Sequence, residues 1–406
     1  MSRIKALLLT ICTVLVSASI LQSCGIEKPA VRVGIIHSLT GTMAFSEKPL
    51  VDAITLAIEE VNDKGGVLGH KIIPIIVDGQ SNPAVFAKEA ERLIVEDHVS
   101  VLFGCWTSAC RKAVKPVVEK HQQLLFYPVQ YEGLEQSPNI VYTGLTPNQQ
   151  ITPSINWAFK HLGKRFFLVG SDYVYPRTAN HIIKDLVTFQ QGQVLAEHYL
   201  PLGSTDVSHV INEIDRLKPD VILNTINGDS NIAFFKALKQ TLHIPVISYS
   251  IGNVEIAQIG SELMSGHYAS WSYFQNIDRA ENQIFVANFK KRFGEQSLIN
   301  DPMEASYTGV YLWAKAVEHA QSVNALRIKD VIGTESFNAP SGVVSVDPIT
   351  HHLWKTARIG QVQQNGQLNT VWQSDVPIRP VPYPSYQSKK QWRQIVAQLS
   401  KTGQEQ

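Results

Sequence analysis

From residue 31 onward, short apolar runs alternate with segments whose apolar residues recur at helical spacing. Val31–His37 is a continuous apolar run. In Pro49–Asn62, the residues Leu50, Ile54, Ala57, Ile58 and Val61 fall on one helical face. Strands follow at Ile72–Val77, Val99–Gly104 and Leu124–Tyr127, with helices at Ala84–Glu96 and Ser108–Lys120 between them. The pattern restarts after Thr143–Gln150. Strands are predicted at Phe166–Gly170, Val194–Leu200, Val221–Thr225, Val246–Ser250 and His267–Ser270, with helices at Pro176–Gln190, Val207–Leu217 and Asn231–Thr241. Unbroken apolar strands separated by helices predict parallel sheets covered on both faces, here two doubly wound lobes of an α/β fold.

Two longer helical patterns follow, at Glu281–Phe293 and Met303–Gln321. Thr356–Gln363 and Gln367–Gln373 flank Asn365-Gly366, which predicts a two-residue type I′ hairpin. Val376–Tyr386 carries Pro377, Pro380, Pro382 and Pro384 and reads as an extended tail, with a short helix at Gln391–Leu399.

In open α/β sheets ligands bind beyond the carboxyl ends of the strands. Those ends carry Ser38–Gly41, Asp78–Ser81, Trp106-Thr107-Ser108 and Tyr127–Tyr131 in the first lobe. In the second they carry Ser171–Tyr175, Asn227–Asn231 and Ser248–Ser250. The candidate binding residues are Trp106, Thr107, Ser108, Tyr127, Gln130, Tyr173, Tyr175 and Asp229. Ser108 reads as a helix N-cap. The tyrosines and Trp106 combine flat apolar faces with polar tips, and Asp229 reads as a helix cap or as an acceptor of N–H bonds. The two turns Trp106-Thr107-Ser108 and Tyr127–Tyr131 carry no charge before Glu132, which suits a small, neutral, polar ligand.

Catalytic patterns are missing. Ser108 is outside any G-x-S-x-G elbow, and no local His could activate Cys105. Gly65–Lys71 fails as a phosphate loop because His70 stands where the second Gly must be. Glu59 and Glu60 read as solvent-facing, no metal-ligand spacing is present, and no cofactor is implied. The 406 residues suit two domains, and the formal net charge is +1, or −1 without residues 1–23. With no block of like charge, nucleic-acid binding has no electrostatic support.

The N-terminus carries the marks of export. Arg3 and Lys5 precede the apolar run Ala6–Ile20, and Leu21-Gln22-Ser23-Cys24 resembles a lipobox, which makes Cys24 the lipidation candidate. Residues 1–23 then form a lipoprotein signal peptide. The mature chain is expected in the periplasm or on the extracytoplasmic face, lipid-anchored. Cys105 and Cys110, five apart across a strand–helix turn in an oxidising compartment, allow a disulfide, but read first as two separate buried thiols, because nothing in the sequence fixes the Cα separation a disulfide needs.

Val33–Gly41, the Gly65–Gly69 turn and the lobe pattern resemble the type I periplasmic binding proteins of the branched-chain amino acid class. More narrowly, Gly104–Val114, Tyr127–Gly133, Pro147–Gln150, Gly170–Asn180, Asn227–Phe235, Asp301–Tyr307 and His351-His352-Leu353 resemble the urea-binding component of bacterial urea ABC transporters. The resemblance covers roughly residues 31–375. Trp372–Ser374 and Pro377–Pro380 are similar to the tail of the related short-chain amide sensors. The likeness implies two lobes joined by three crossovers, residues 31–145 with 274–345 and residues 146–273 with 346–375, followed by the tail 376–406. It implies urea or a small amide between Trp106, Thr107, Ser108, Tyr127 and Gln130 on one side and Tyr173, Tyr175 and Asp229 on the other. The implied partners are a membrane permease and ATPase subunits. Gln130 and Asp229 follow the urea branch, where the amide sensors have proline and small neutral residues. Gln22 and the end after Tyr386 depart from the pattern. An amide- or amino-acid-binding protein, an amide-sensing regulator and an exported amide hydrolase are the competing readings.

Overall fold

The computed structural model describes residues 29–241 and 243–402. The signal segment 1–23 and Cys24 lie outside the described residues.

The first lobe begins with β1 (Val31–His37), α1 (Ala44–Asp63), β2 (Ile72–Asp78), α2 (Pro83–Val95), β3 (Leu102–Gly104), α3 (Ser108–Lys120), β4 (Leu125–Tyr127) and β5 (Ile140–Tyr142). The chain crosses to the second lobe through α4 (Pro147–His161), β6 (Arg165–Ser171), α5 (Val174–Phe189), β7 (Gln193–Leu200), α6 (Ser208–Leu217) and β8 (Val221–Thr225). This lobe continues with α7 (Ser230–Thr241), β9 (Val246–Ser248), α8 (Asn253–Ile259), α9 (Ser261–Met264) and β10 (Tyr268–Trp271). It returns as α10 (Ala280–Phe293), α11 (Asp301–Ala320), α12 (Ala325–Val331), β11 (Ser336–Ala339), β12 (Gly342–Val346) and β13 (Leu353–Trp354). Then it crosses once more into β14 (Arg358–Val362) and β15 (Leu368–Gln373), and ends in α13 (Lys389–Thr402).

The first sheet is wholly parallel, in the order β2-β1-β3-β4-β5. The second runs β15-β14-β10-β9-β8-β6-β7, parallel from β7 to β10 and closed by an antiparallel β14–β15 edge. Non-sequential strand order with helices between strands is the doubly wound plan that the apolar runs predict. The runs are least uniform at the sheet edge, where Ile73 and Ile76 of β2 are each 45% exposed.

Three features differ from expectation, and the contacts of the tail add to it. The final crossing falls after Trp354, not at residue 346. β13 pairs with β12, and His352 bridges to Tyr142, so residues 346–354 stay with the first lobe. The β14–β15 turn is not type I′, because Gly366 has φ 80° while Asn365 keeps negative φ. Gly366 N–H donates to Gln363 O at 2.9 Å, which makes a type I turn closed by a left-handed glycine. The tail follows the expected course, an extended stretch and then a helix, and it is docked on the lobes. Gln149 donates to Ile378 O and Leu134 N–H to Pro382 O, and α13 buries Trp392 completely between Leu134 and Ile182. Finally, Glu60 is only partly exposed and accepts from Tyr307, Tyr311 and Asn288, tying α1 to α11 and α10. In the phosphate-loop-like run, Gly66 has φ 75° and a Cβ there would stand 1.9 Å from His70 O, so the run is a tight turn.

The three crossovers are tied together by buried polar groups. Lys355 Nζ donates to Thr143 O at 3.1 Å and lies 3.7 Å from Glu304, while Ser272 N–H donates to Asp301 at 2.9 Å.

Candidate interlobe binding site

The turn after β3 is shaped by three local devices. Cys105 takes φ 66°, and Thr107 is the N-cap, its Oγ1 accepting from Cys110 N–H at 3.1 Å. The expected capping role of Ser108 therefore moves one residue back. The same cap curls the first turn of α3 over the strand end and brings Cys110 to a Cα separation of 5.8 Å from Cys105. The two form a disulfide, correcting the reading of separate thiols. The ring they close holds Trp106, Thr107 and Ser108.

Freed from capping, Ser108 donates its hydroxyl proton to Glu132 Oε2 and accepts from Arg111 Nη1 at 2.9 Å. Arg111 Nη2 lies 3.1 Å from Glu132 and its Nε 2.7 Å from Glu135; the side chains of Arg111 and Glu132 are both 0% exposed. The guanidinium also lies 4.9 Å and 4.4 Å from the ring centroids of Tyr127 and Tyr131. The cluster that reads as neutral in sequence is thus backed by a buried ion network. Burial opposes the charge on Arg111, but Glu135 and Glu132 more than offset it and hold the guanidinium well above its usual range. Burial likewise raises the Glu135 carboxyl, yet Arg111 and Lys112 outweigh it and bring its pKa to about 2. Buried ion pairs cost desolvation, which these groups recover only by satisfying one another.

The strand-end turns of the two lobes meet. Trp106 Nε1 donates to Asn227 Oδ1 at 3.2 Å, Gln130 Nε2 to Ser250 Oγ at 2.9 Å, and Ser46 Oγ to Glu255 Oε1 at 2.8 Å. Thr42 Oγ1 donates to Asp229 Oδ1 at 2.9 Å. Gly228, at φ 71°, lets its backbone pass close to Thr42. Tyr127 is fully buried and donates to Trp106 O at 2.6 Å. Gln130 Oε1 and the Tyr175 hydroxyl are buried and make no well-formed hydrogen bond; Gln130 and Ser250 are polar neighbours of Tyr175 and partly counter the rise that burial gives its pKa. Tyr173, at the start of α5, lines a cavity of ≈ 90 Å³ with Thr107, Met43 and Leu202. Burial raises the hydroxyl pKa values of Tyr127, Tyr173 and Tyr175, so all three remain neutral donors.

Seven of the eight candidate residues are therefore gathered at the lobe interface. Asp229 is the exception: it is exposed and lies at the rim with Thr42. The sequence reading missed Arg111 and the role of Glu132. The signal was present in the spacing, since Ser108 and Arg111 are three apart on α3 and share a face.

A family model described as a periplasmic binding protein domain matches residues 31–389. Leu/Ile/Val-binding protein homolog 6 of Brucella melitensis is 23% identical over 347 residues, covering 82% of this chain and 87% of that protein. A 124-residue stretch is 36% identical to limonene hydroxylase of Geobacillus stearothermophilus; it covers 30% of this chain and only 23% of that protein. Among solved structures, an ABC transporter solute binding protein from R. palustris in complex with 4-hydroxybenzoate superposes with a TM-score of 0.78 at 22% identity. That match covers 86% of this chain and 98% of the other. With two doubly wound lobes closed on each other and a family match across both, the chain belongs to the periplasmic binding protein family.

Proposed function

We propose that this chain is the solute-binding component of an ABC importer, and that its ligand is urea, held between the lobes without chemistry. In this reading Cys24 anchors the protein by lipid on the extracytoplasmic face, and the closed form docks on a permease served by ATPase subunits. The observation that carries the ligand class is the pair of unpartnered buried groups, Gln130 Oε1 from one lobe and the Tyr175 hydroxyl from the other. A buried group without a partner costs about 1–3 kcal/mol. Urea offers four N–H donors and one carbonyl acceptor, so it can satisfy both an acceptor and a donor in a small space. Ser250, Ser108, Trp106, Thr107, Tyr127 and Tyr173 complete the wall. Asp229 takes part from the rim, by holding the lobes together.

An amino-acid ligand is favoured by the names of the Brucella relatives. Against it stands the commitment of Arg111, whose Nε, Nη1 and Nη2 are already taken by Glu135, Ser108 and Glu132. Its charge is already balanced by two carboxylates, Glu132 and Glu135, which disfavours a third, the α-carboxylate of an amino acid. Gln130→Ala and Tyr175→Phe should each weaken urea binding at least tenfold while leaving the melting temperature within a few degrees. Unchanged affinity in both variants would remove urea from this site.

A further inference from the structure

A serine hydroxyl has one proton and two lone pairs. In Ser108 the proton goes to Glu132, since an ionised carboxylate can only accept. One lone pair goes to Arg111, since a guanidinium can only donate. One lone pair remains. Tyr127 spends its proton on Trp106 O, and its oxygen is occupied by the adjoining Arg111 guanidinium and Ser108 hydroxyl. Ser108 thus has no proton left to offer, and Tyr127 supplies none in its place. Ser108 directly follows Trp106, which bonds Asn227 of the opposite lobe, and Thr107, which lines the interlobe cavity with Tyr173.

We infer that Glu132 and Arg111 are positioning residues that fix the hydrogen-bond polarity of Ser108, so that this end of the site accepts N–H groups and turns carbonyls away. The inference rests on the binding reading above and sharpens it: the ligand carbonyl must face the Tyr175 hydroxyl, one NH₂ group must face Gln130 Oε1, and the other must face Ser108. Glu132 acts through Ser108 and touches no ligand atom. In Glu132→Gln the new amide can donate to Ser108 and accept from Arg111. The serine proton is then released toward the ligand, where it opposes an N–H.

A double-mutant cycle on urea affinity, measured by calorimetry, tests this. Glu132→Gln alone should weaken urea at least tenfold, and in a Ser108→Ala background it should change affinity less than twofold. The ratio of urea to acetamide affinity should fall with Glu132→Gln, because acetamide can turn its methyl group toward Ser108; a purely structural role would weaken both ligands alike. Equal losses in both backgrounds would overturn the inference. Where Glu132→Gln unfolds the protein, Ser108→Ala with Arg111→Lys gives the same cycle, with the same coupling expected and the same absence of coupling contradicting it. If the wild-type protein binds neither urea nor acetamide, the ligand reading falls and this inference with it. If it binds urea and the cycle shows no coupling, this inference falls alone.

Discussion

Thr42 and Asp229, separated by 187 positions in the chain, meet at the exposed rim of the lobe interface, where Thr42 Oγ1 donates to Asp229 Oδ1 at 2.9 Å. The bond joins the two lobes, so it contributes to holding them closed. A solvent-exposed bond of this kind is worth about 1 kcal/mol or less. Asp229→Ala and Thr42→Val should each weaken ligand binding by roughly two- to fivefold, and the double variant should be no worse than either single one. Loss of binding in Asp229→Ala with Thr42→Val silent would place Asp229 on the ligand instead.

Acid should destabilise the fold in two steps. His352 stacks on Tyr142 with ring centroids 4.1 Å apart, and burial pushes its pKa down to about 3. Burial, with Lys239 adding to it, brings His267 to about 4. A histidine that resists protonation when folded, but takes a proton near pH 6.5 when unfolded, contributes its full stability above that pH. The contribution is lost as pH falls toward the folded value, at roughly 1.4 kcal/mol per pH unit for each histidine. Glu135, depressed to about 2 from 4.5, contributes fully above pH 4.5 and loses its share only below it. The melting temperature should hold steady between about pH 7 and 8 and fall below about 6.5. His352→Gln should flatten the slope between about pH 6.5 and 4. An unchanged slope would mean that His352 does not titrate with unfolding.

The lobes were legible because buried parallel strands must be apolar throughout, and because strand ends mark where a ligand can sit. Ser108, Gln130 and Tyr175 were found by that rule. Asp229 was found by it too, but a strand end carries no information about depth, and Asp229 sits at the rim. The spacing puts Arg111 on the same face of α3 as Ser108, but helical arginines usually face water, and only the folding of Glu132 and Glu135 over α3 encloses it. The disulfide depended on one residue of capping register, Thr107 in place of Ser108. The extended tail and its helix were legible, but not their docking: the prolines mark extended chain without saying what it lies against, and Trp392 finds its partners on two different lobes.

Removing the Cys105–Cys110 crosslink should cost about 2 kcal/mol, the loop-closure value for so short a ring. Guanidinium unfolding of Cys105→Ser/Cys110→Ser against the wild type measures it; urea is unsuitable as a denaturant because it is the proposed ligand. The ring holds Trp106, Thr107 and Ser108, so ligand affinity should fall in the same variant. Full affinity in the crosslink-free protein would show that the cap and packing alone fix the turn.

Trp392 joins the loop at Leu134 in the first lobe to Ile182 on α5 in the second, so α13 spans the site-bearing elements of both lobes. Burying a tryptophan is worth about 3–5 kcal/mol against its truncation, and here the loss falls on the docked helix. Trp392→Ala should release α13, seen as rapid proteolysis within residues 387–402, while the lobes stay folded. Wild-type protease resistance in this variant would mean that the tail is held by the Gln149, Asn148 and Leu134 bonds alone.

The central claim is that two buried groups, Gln130 Oε1 and the Tyr175 hydroxyl, await a small neutral amide-like ligand. Calorimetry of the mature protein against urea, acetamide, formamide and leucine tests it most directly. The account predicts saturable one-to-one binding of urea, weaker binding of acetamide and formamide, and none of leucine. Tight binding of leucine with no heat from urea would contradict it.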